Sequence, residues 1–250
     1  MELPFFGITQ TEADPSLLSY VNDPIIKSVA FDSDEGCYRY TAHGQRVKCG
    51  GLVKTLENKF YSHYKDNRSK RRTKSTNVRG SNKKQGKLID SQLLQYVHVG
   101  KKPKRCSKMT EALLDYWNSK GHVLQASQLP VVLRNWNKVT QADVITKNKK
   151  TGALCMWEVK TGVPVGGFRK QDRFSAPLSE VPCTKYNIWQ LQMHYTRAGL
   201  QESGLVVSEA NVIQVYSTKD KGIQVKVHKE EEWLKKLNNQ TERIHKPVVL

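Results

Sequence analysis

The spacing of apolar residues predicts an alternation of helices and strands between residues 88 and 239. Helical spacing predicts helices over residues 88–97, 108–121, 187–200 and 230–239. Alternating or continuous apolar runs predict strands over residues 122–133, 140–146, 153–160, 205–217 and 223–228. This order of helices and strands predicts an α/β protein with a mixed central β-sheet flanked by helices.

The composition changes from about residue 46. Residues 1 to about 45 are mildly acidic and rich in turn signals, whereas residues 67–87 are basic, rich in Ser, Asn and Gly, and poor in apolar residues. Such a basic stretch is typical of a flexible loop, which either contacts phosphates or only keeps the surface solvated. We therefore predict an N-terminal acidic segment and basic flexible region over 1–83, and a folded domain over 84–250.

The overall charge favours a polyanionic partner. The 250-residue chain has 41 Lys and Arg against 23 Asp and Glu, a formal net charge of +18. Nucleic acid or an anionic membrane would relieve the self-repulsion of so much positive charge. We expect nucleic acid and no membrane partner, because no amphipathic basic helix with an aromatic face stands out. The sequence does not identify protein partners.

Several features predict an intracellular protein. The five cysteines are scattered and form no CxxC pair, which is typical of reduced thiols. No apolar run approaches membrane-spanning length, and the acidic N-terminus lacks the positive region of a signal peptide. The cluster KKPKR at 101–105 resembles a short nuclear localisation signal, which makes the nucleus a candidate compartment.

The stretch MWEVKTG, residues 156–162, holds two charged residues in a predicted strand. Strand alternation places Glu158 and Lys160 on one face and Trp157 and Val159 on the other. Burying such charges is costly unless they are paired.

The preceding predicted strand holds one acid, Asp143, and the residues between the two strands read as a hairpin turn. A hairpin symmetric about Lys150 and Thr151 places Asp143 opposite Glu158, with Cβ atoms about 5 Å apart. Two carboxylates at that distance repel each other unless one is protonated or a cation lies between them. The pair therefore indicates a divalent metal site. The alternative is an exposed salt-bridge face, which the surrounding apolar residues argue against.

These residues in this order resemble a known family. Asp143, Glu158 and Lys160 match the D…(D/E)xK core of the PD-(D/E)XK nuclease superfamily. The helix WQLQMHY, 189–195, resembles the glutamine-bearing motif of the lambda-exonuclease and RecB-type branch. KKQGKLIDSQLLQYV resembles the first helix of that domain, and QLPVV its edge strand. The resemblance covers roughly residues 84–217 and implies a restriction-endonuclease-like fold.

The resemblance also implies roles for the core residues. Asp143 would bridge metal ions, Glu158 would bind one of them, and the carbonyl of Val159 would add a ligand. Oxygen ligands of this kind suit Mg²⁺ or Mn²⁺. Lys160 would orient the attacking water or offset negative charge in the transition state.

Two further positions are candidates with structural alternatives. Gln192 shares a helical face with Ile188 and is expected to point toward the sheet, either toward the site or as a core amide; Gln190 is the other glutamine of the motif. Glu111 is a candidate metal ligand, as is Asp90, although an acid near a helix N-terminus is also favoured by the helix dipole.

Together these features predict a Mg²⁺-dependent deoxyribonuclease. Its expected substrate is duplex or single-stranded DNA, and the glutamine helix favours an exonuclease in recombination, repair or replication. The alternatives are an endonuclease of the same superfamily and a nucleic-acid-binding protein that keeps the fold without catalysis.

Overall fold

The structure is a computed structural model that describes residues 6–9, 13–61, 76–162, 172–218, 220–234 and 237, with the backbone alone for 76–82. The described strands are β1 Gly7–Ile8, β2 Ala30–Asp32, β3 Cys37–Ala42, β4 Gln45–Gly51, β5 His122–Leu133, β6 Lys138–Asn148, β7 Leu154–Thr161, β8 Glu209–Thr218 and β9 Gly222–Lys229. The described helices are α1 Pro15–Asn22, α2 Pro24–Lys27, α3 Leu52–Phe60, α4 Thr76–Val99, α5 Lys108–Ser119 and α6 Lys185–Glu202, with a 3₁₀ turn at Arg134–Trp136.

These strands form one mixed sheet. The order β2-β3-β4-β6-β7-β8-β9 includes two parallel pairs, β4 with β6 and β7 with β8, and the remaining pairs are antiparallel. Strand β5 pairs with both β6 and β1. The predicted α/β class with a mixed central sheet flanked by helices is confirmed. The narrower description as restriction-endonuclease-like stays a prediction.

The middle strand β6 changes partner along one edge. Strand β5 pairs with the other edge of β6 from His122↔Asn148 to Leu133↔Lys138. Strand β4 therefore meets the free edge at Val139, and β7 meets it only from Val144 onward. The two partners leave a gap in that edge, and Asp143 lies at the gap.

The two faces of the sheet have different helices. Helices α4 and α5 cover the face that holds Trp157, in a cluster with Leu93 and Trp117. Helix α6 covers the opposite face and packs against β5 and β8. This helix lies close to β5 at Gly199, where a Cβ atom would stand 2.7 Å from a methyl carbon of Val131. Position 199 therefore requires glycine.

Helix α4 corrects one prediction. It begins at Thr76, so the expected flexible loop over 67–87 is wrong for residues 76–87, while residues 67–75 lie outside the described part of the chain. The packed half of α4 coincides with the predicted helix over 88–97, because its buried residues Ile89, Leu93 and Val97 lie four residues apart and share one face. Of the predicted helix over 230–239, residues 232–234 and 237 are helical, residues 230 and 231 are not, and residues 235, 236, 238 and 239 lie outside the described residues.

The N-terminal residues contribute to the same sheet. Strands β2 to β4 extend it beyond β6, and Leu17 and Leu56 belong to the apolar cluster that also holds Val131 and Met193. The predicted boundary near residue 83 stays a prediction. None of the described helices has the length and apolar character needed to cross a membrane.

Candidate active site

The β6–β7 hairpin has the predicted register. The paired residues run from Lys147↔Leu154 to Val144↔Trp157, so the next positions outward are Asp143 and Glu158. The turn is fixed by the Asn148 side chain, which accepts hydrogen bonds from two backbone N–H groups of the turn at 2.9 and 3.2 Å. The two acids therefore face each other at the open end of the hairpin.

Beyond the last paired residues of β6 and β7, the Asp143 side chain replaces a backbone carbonyl of β6 as the hydrogen-bond acceptor for β7. Its Oδ2 accepts a hydrogen bond from the backbone N–H of Val159 at 2.8 Å. The N–H and C=O groups of one strand residue point to the same side of the strand. The Val159 carbonyl is consequently directed toward the gap beside β6, as the predicted ligand role requires.

Glu158 and Lys160 form a buried ion pair. The Glu158 side chain is 1% exposed, and its Oε1 accepts from the Lys160 ammonium, which is 19% exposed. Lys160 Nζ also donates to Gln192 Oε1 at 3.3 Å. The second carboxylate oxygen, Glu158 Oε2, is buried and has no hydrogen-bond partner among the described residues. A buried carboxylate oxygen without a partner is costly unless it is protonated or binds a cation, so this oxygen is a candidate metal ligand.

Burial and mutual repulsion change the pKa values of these residues. Burial, and then the neighbouring Asp143, raise the pKa of Glu158 from 4.5 to about 8. Burial also raises the pKa of Asp143, against the opposing effects of Lys160 and the Val159 N–H. Burial lowers the pKa of Lys160, but Glu158 and Asp143 outweigh it, so the pKa is raised and the ammonium stays charged.

These residues open into a cleft of about 400 Å³. Glu158, Val159, Lys160 and Asp143 line one side of it, and Gln192 lines another. The other lining residues come mainly from the first turns of α6 and the middle of α4: Lys83, Gly86, Asp90, Thr161, Lys185 and Trp189.

The two acids predicted on helices have different positions. Asp90 lines the cleft, and burial together with the charge of Asp143 raises its pKa to about 7. Glu111 is in the first turn of α5, where its backbone N–H bonds the Ser107 carbonyl and its charge acts on Cys106. The structure does not bring Glu111 into the cleft, because α5 packs over β9 and β5 rather than at the gap beside β6.

The two candidate glutamines of α6, Gln190 and Gln192, also have different positions. Lys185, Trp189 and Gln192 lie on one face of α6, at helical spacings of four and three residues, and all three line the cleft. Gln190 is fully buried and donates instead to Tyr186 Oη at 3.1 Å and to the Lys229 carbonyl at 3.0 Å. Gln192 is therefore the glutamine that reaches Lys160.

The residues present fit a small hard cation with water in its coordination shell. Among the residues that the structure describes, no group of three or more His, Cys, Asp or Glu side chains could hold a metal ion. Mg²⁺ commonly needs only one or two protein carboxylates, because it keeps several of its waters. The carboxylates of Asp143 and Glu158 supply that number, and the Val159 carbonyl adds a further oxygen.

Sequence reasoning missed the cleft residues Lys83, Lys185 and Trp189. The signal for the last two was present, since they precede Gln192 by seven and three residues on the same helical face. Lys83 lies in the basic stretch 67–87, where no helical spacing of apolar residues indicates a helix, so the sequence did not place it at the cleft. Scanned against models of known protein families, the sequence has no match, and a search of curated proteins finds no similar sequence either.

Proposed function

We propose that this protein is a metal-dependent nuclease that hydrolyses phosphodiester bonds in DNA. The observation that carries the proposal is the buried Oε2 of Glu158, which has no hydrogen-bond partner among the described residues and lies next to Asp143 and Lys160 in an open cleft. A pure binding protein has no need of two opposed carboxylates, because like charges beside each other weaken both folding and the binding of a polyanion.

Each residue has a definite task in this proposal. Asp143, Glu158 and the Val159 carbonyl would hold Mg²⁺ or Mn²⁺. When bound, the ion would polarise the scissile phosphate and acidify the attacking water. The Val159 N–H donates to Asp143 Oδ2 at 2.8 Å and would keep this carboxylate oriented for the ion.

Lys160 would act on the transition state. Its ammonium lies between Glu158 and Gln192, and a cation on the carboxylates would weaken its ion pair and leave it facing the cleft. There it would offset the negative charge that develops on the phosphate or orient the attacking water. Gln192 would position the ammonium, since its Oε1 accepts from Nζ.

The surroundings of the site suit DNA. Lys83 and Lys185 line the cleft beside Lys160, within a chain of net charge +18. These ammonium groups would contact the phosphates on either side of the cleaved bond, with release of counterions. The family resemblance favours an exonuclease with a restriction-endonuclease-like fold, and both are part of the proposal.

The test is incubation with linear DNA and with the same molecule as an unnicked closed circle, each with Mg²⁺ and with EDTA. We expect Mg²⁺-dependent release of nucleotides or short oligomers from the linear form alone. Equal cleavage of the closed circle would support a nuclease but would show that it is an endonuclease and not an exonuclease. Retention of both forms without cleavage, under conditions in which both bind, would contradict the proposal in favour of a binding protein.

A further inference from the structure

A second pocket lies beside the cleft and shares one wall with it. Its volume is about 570 Å³, and Trp189 lines both cavities. The remaining walls hold three further rings, Tyr186, Tyr216 and His228. Three other residues complete the lining: Gln214, Lys226 and Glu231.

The strand register places this pocket in line with the catalytic residues. Lys160 on β7 pairs with Gln214 on β8, and Gln214 pairs with Lys226 on β9. Directly paired residues point to the same face of a sheet, so the three side chains form one row. Two strand spacings separate the ends of the row, which puts Lys226 about 10 Å from Lys160 across the sheet. A ligand bound in the pocket would therefore lie within about 10 Å of the proposed catalytic residues.

Hydrogen bonds within the protein hold the polar side chains at the base of the pocket in place. Gln214 is 3% exposed, and its Nε2 donates to the Gly162 carbonyl at 2.8 Å. A carbonyl only accepts, so Gln214 Oε1 is the atom that faces His228 Nε2 at 3.2 Å, and this imidazole nitrogen is the donor. The amide and the imidazole hold each other in one orientation.

The aromatic wall is fixed as well. Tyr186 Oη donates to Glu231 Oε1 at 2.6 Å and accepts from Gln190 Nε2 at 3.1 Å. The Tyr186 ring lies 4.8 Å from the His228 ring, measured between centroids. Rings held in this way lose little conformational entropy when a flat ligand stacks on them.

We propose that this pocket, formed by Tyr186, Trp189, Tyr216 and His228 over Gln214, holds an unstacked nucleobase of the nucleotide next to the cleaved bond. The inference rests on the proposed function, because a phosphodiester cleft beside a rigid aromatic pocket matches the two parts of a nucleotide. Base stacking on aromatic side chains tolerates any sequence, since every base has a flat face. A base can enter only after leaving its duplex stack, so the preferred substrate is a single strand or a frayed end.

The test is a scan of short single-stranded oligonucleotides in which one abasic position moves along the strand, with binding measured in EDTA. For the wild type, we expect one register at which loss of the base weakens binding roughly 5- to 100-fold, the range typical of one stacked base. Tyr216→Ala should bind the intact strand more weakly by a similar factor and lose its sensitivity to the abasic site. Tyr216→Phe should restore both. Tyr38→Ala, a partly buried strand tyrosine near the opposite edge of the sheet, is the matched control and should behave as the wild type.

A flat abasic scan in the wild type, or unchanged sensitivity in Tyr216→Ala, would overturn the pocket assignment. A second readout needs no variant: 2-aminopurine at the sensitive register should lose most of its fluorescence on binding, and an unquenched signal would equally overturn it. The two proposals fail separately. Mg²⁺-dependent cleavage with a flat scan retains the nuclease and removes the base pocket. A base-dependent scan without cleavage at any Mg²⁺ concentration retains the pocket and removes the nuclease.

Discussion

Replacing Glu158 with glutamine should stabilise the metal-free protein, and the gain should grow with pH. The variant keeps the shape of the side chain and keeps an acceptor for Lys160, but it removes the buried negative charge beside Asp143. In the folded protein the pKa of Glu158 is raised from 4.5 to about 8, chiefly by burial. The folded state therefore holds a proton that the unfolded state releases between these two pH values.

The sign and size follow from proton linkage. An acid whose pKa is higher in the folded state contributes no penalty below pH 4.5, and its penalty increases up to pH 8. At about 1.4 kcal/mol per pH unit, the wild type should lose about 3 kcal/mol of unfolding free energy by pH 7 and about 4 kcal/mol by pH 8. For a chain of this length, each kcal/mol corresponds to roughly 2–4 °C in Tm. Glu158→Gln should therefore melt on the order of 5–10 °C above the wild type at pH 7.

The assay is thermal unfolding followed by circular dichroism from pH 5 to pH 9 in EDTA. Glu111→Gln, outside the cleft, is the matched control and should show no widening difference from the wild type. Adding Mg²⁺ should reverse the order at high pH, because the ion stabilises only the state that binds it and Glu158→Gln has lost a ligand. A Glu158→Gln protein that melts below the wild type at pH 8 in EDTA, or a difference that is constant across pH, would refute the reasoning.

Three other predictions concern catalysis and binding. Lys160→Ala should lower kcat by about 100-fold or more while DNA affinity changes little, since its charge acts in the transition state; an equal loss in affinity alone would make it a phosphate contact. Lys83→Ala and Lys185→Ala should each reduce the slope of log affinity against log salt by about 1, measured by titration at several salt concentrations; an unchanged slope would remove them from the DNA surface. At pH 7, binding of Mn²⁺ should release a proton from Glu158, whose pKa is raised to about 8, seen by calorimetry in buffers of different ionisation enthalpy; proton-free binding would place the ion elsewhere.

The hairpin that carries the site could be predicted from the sequence. Period-two alternation and a turn of Asn and Gly determine both the face and the register, so the position of Asp143 opposite Glu158 needed only local information. Local spacing did not decide between Gln190 and Gln192. Helical periodicity put Gln192 on the face toward the sheet, and the structure shows it bonded to Lys160.

Which of the two helical acids lies at the cleft could not be predicted from local sequence. Glu111 and Asp90 are both acids on helices that precede β5, and nothing in their neighbours indicates which helix lies at the gap in β6. That gap exists because β4 and β7 share one edge of β6, which depends on pairing between residues about 90 positions apart in the chain. Long-range pairing of this kind has no local pattern.

Helix α4 was predicted only where it packs. Residues 88–97 show helical spacing because Ile89, Leu93 and Val97 contact the sheet. Residues 76–87 lack that spacing, and their Gly and Asn content lowers their intrinsic helix propensity. Their helical structure continues from the packed half, and it is this extension that brings Lys83 to the cleft.

The most direct test of the central claim is the rate of phosphodiester cleavage in linear DNA, measured against Mg²⁺ concentration for the wild type, Asp143→Asn, Glu158→Gln and Glu111→Gln. All four should bind the same DNA and unfold cooperatively, so that differences report on chemistry. The account predicts saturable Mg²⁺-dependent cleavage by the wild type and by Glu111→Gln, and none by Asp143→Asn or Glu158→Gln at any Mg²⁺ concentration. Normal cleavage by either of the last two variants would contradict the assignment of the site.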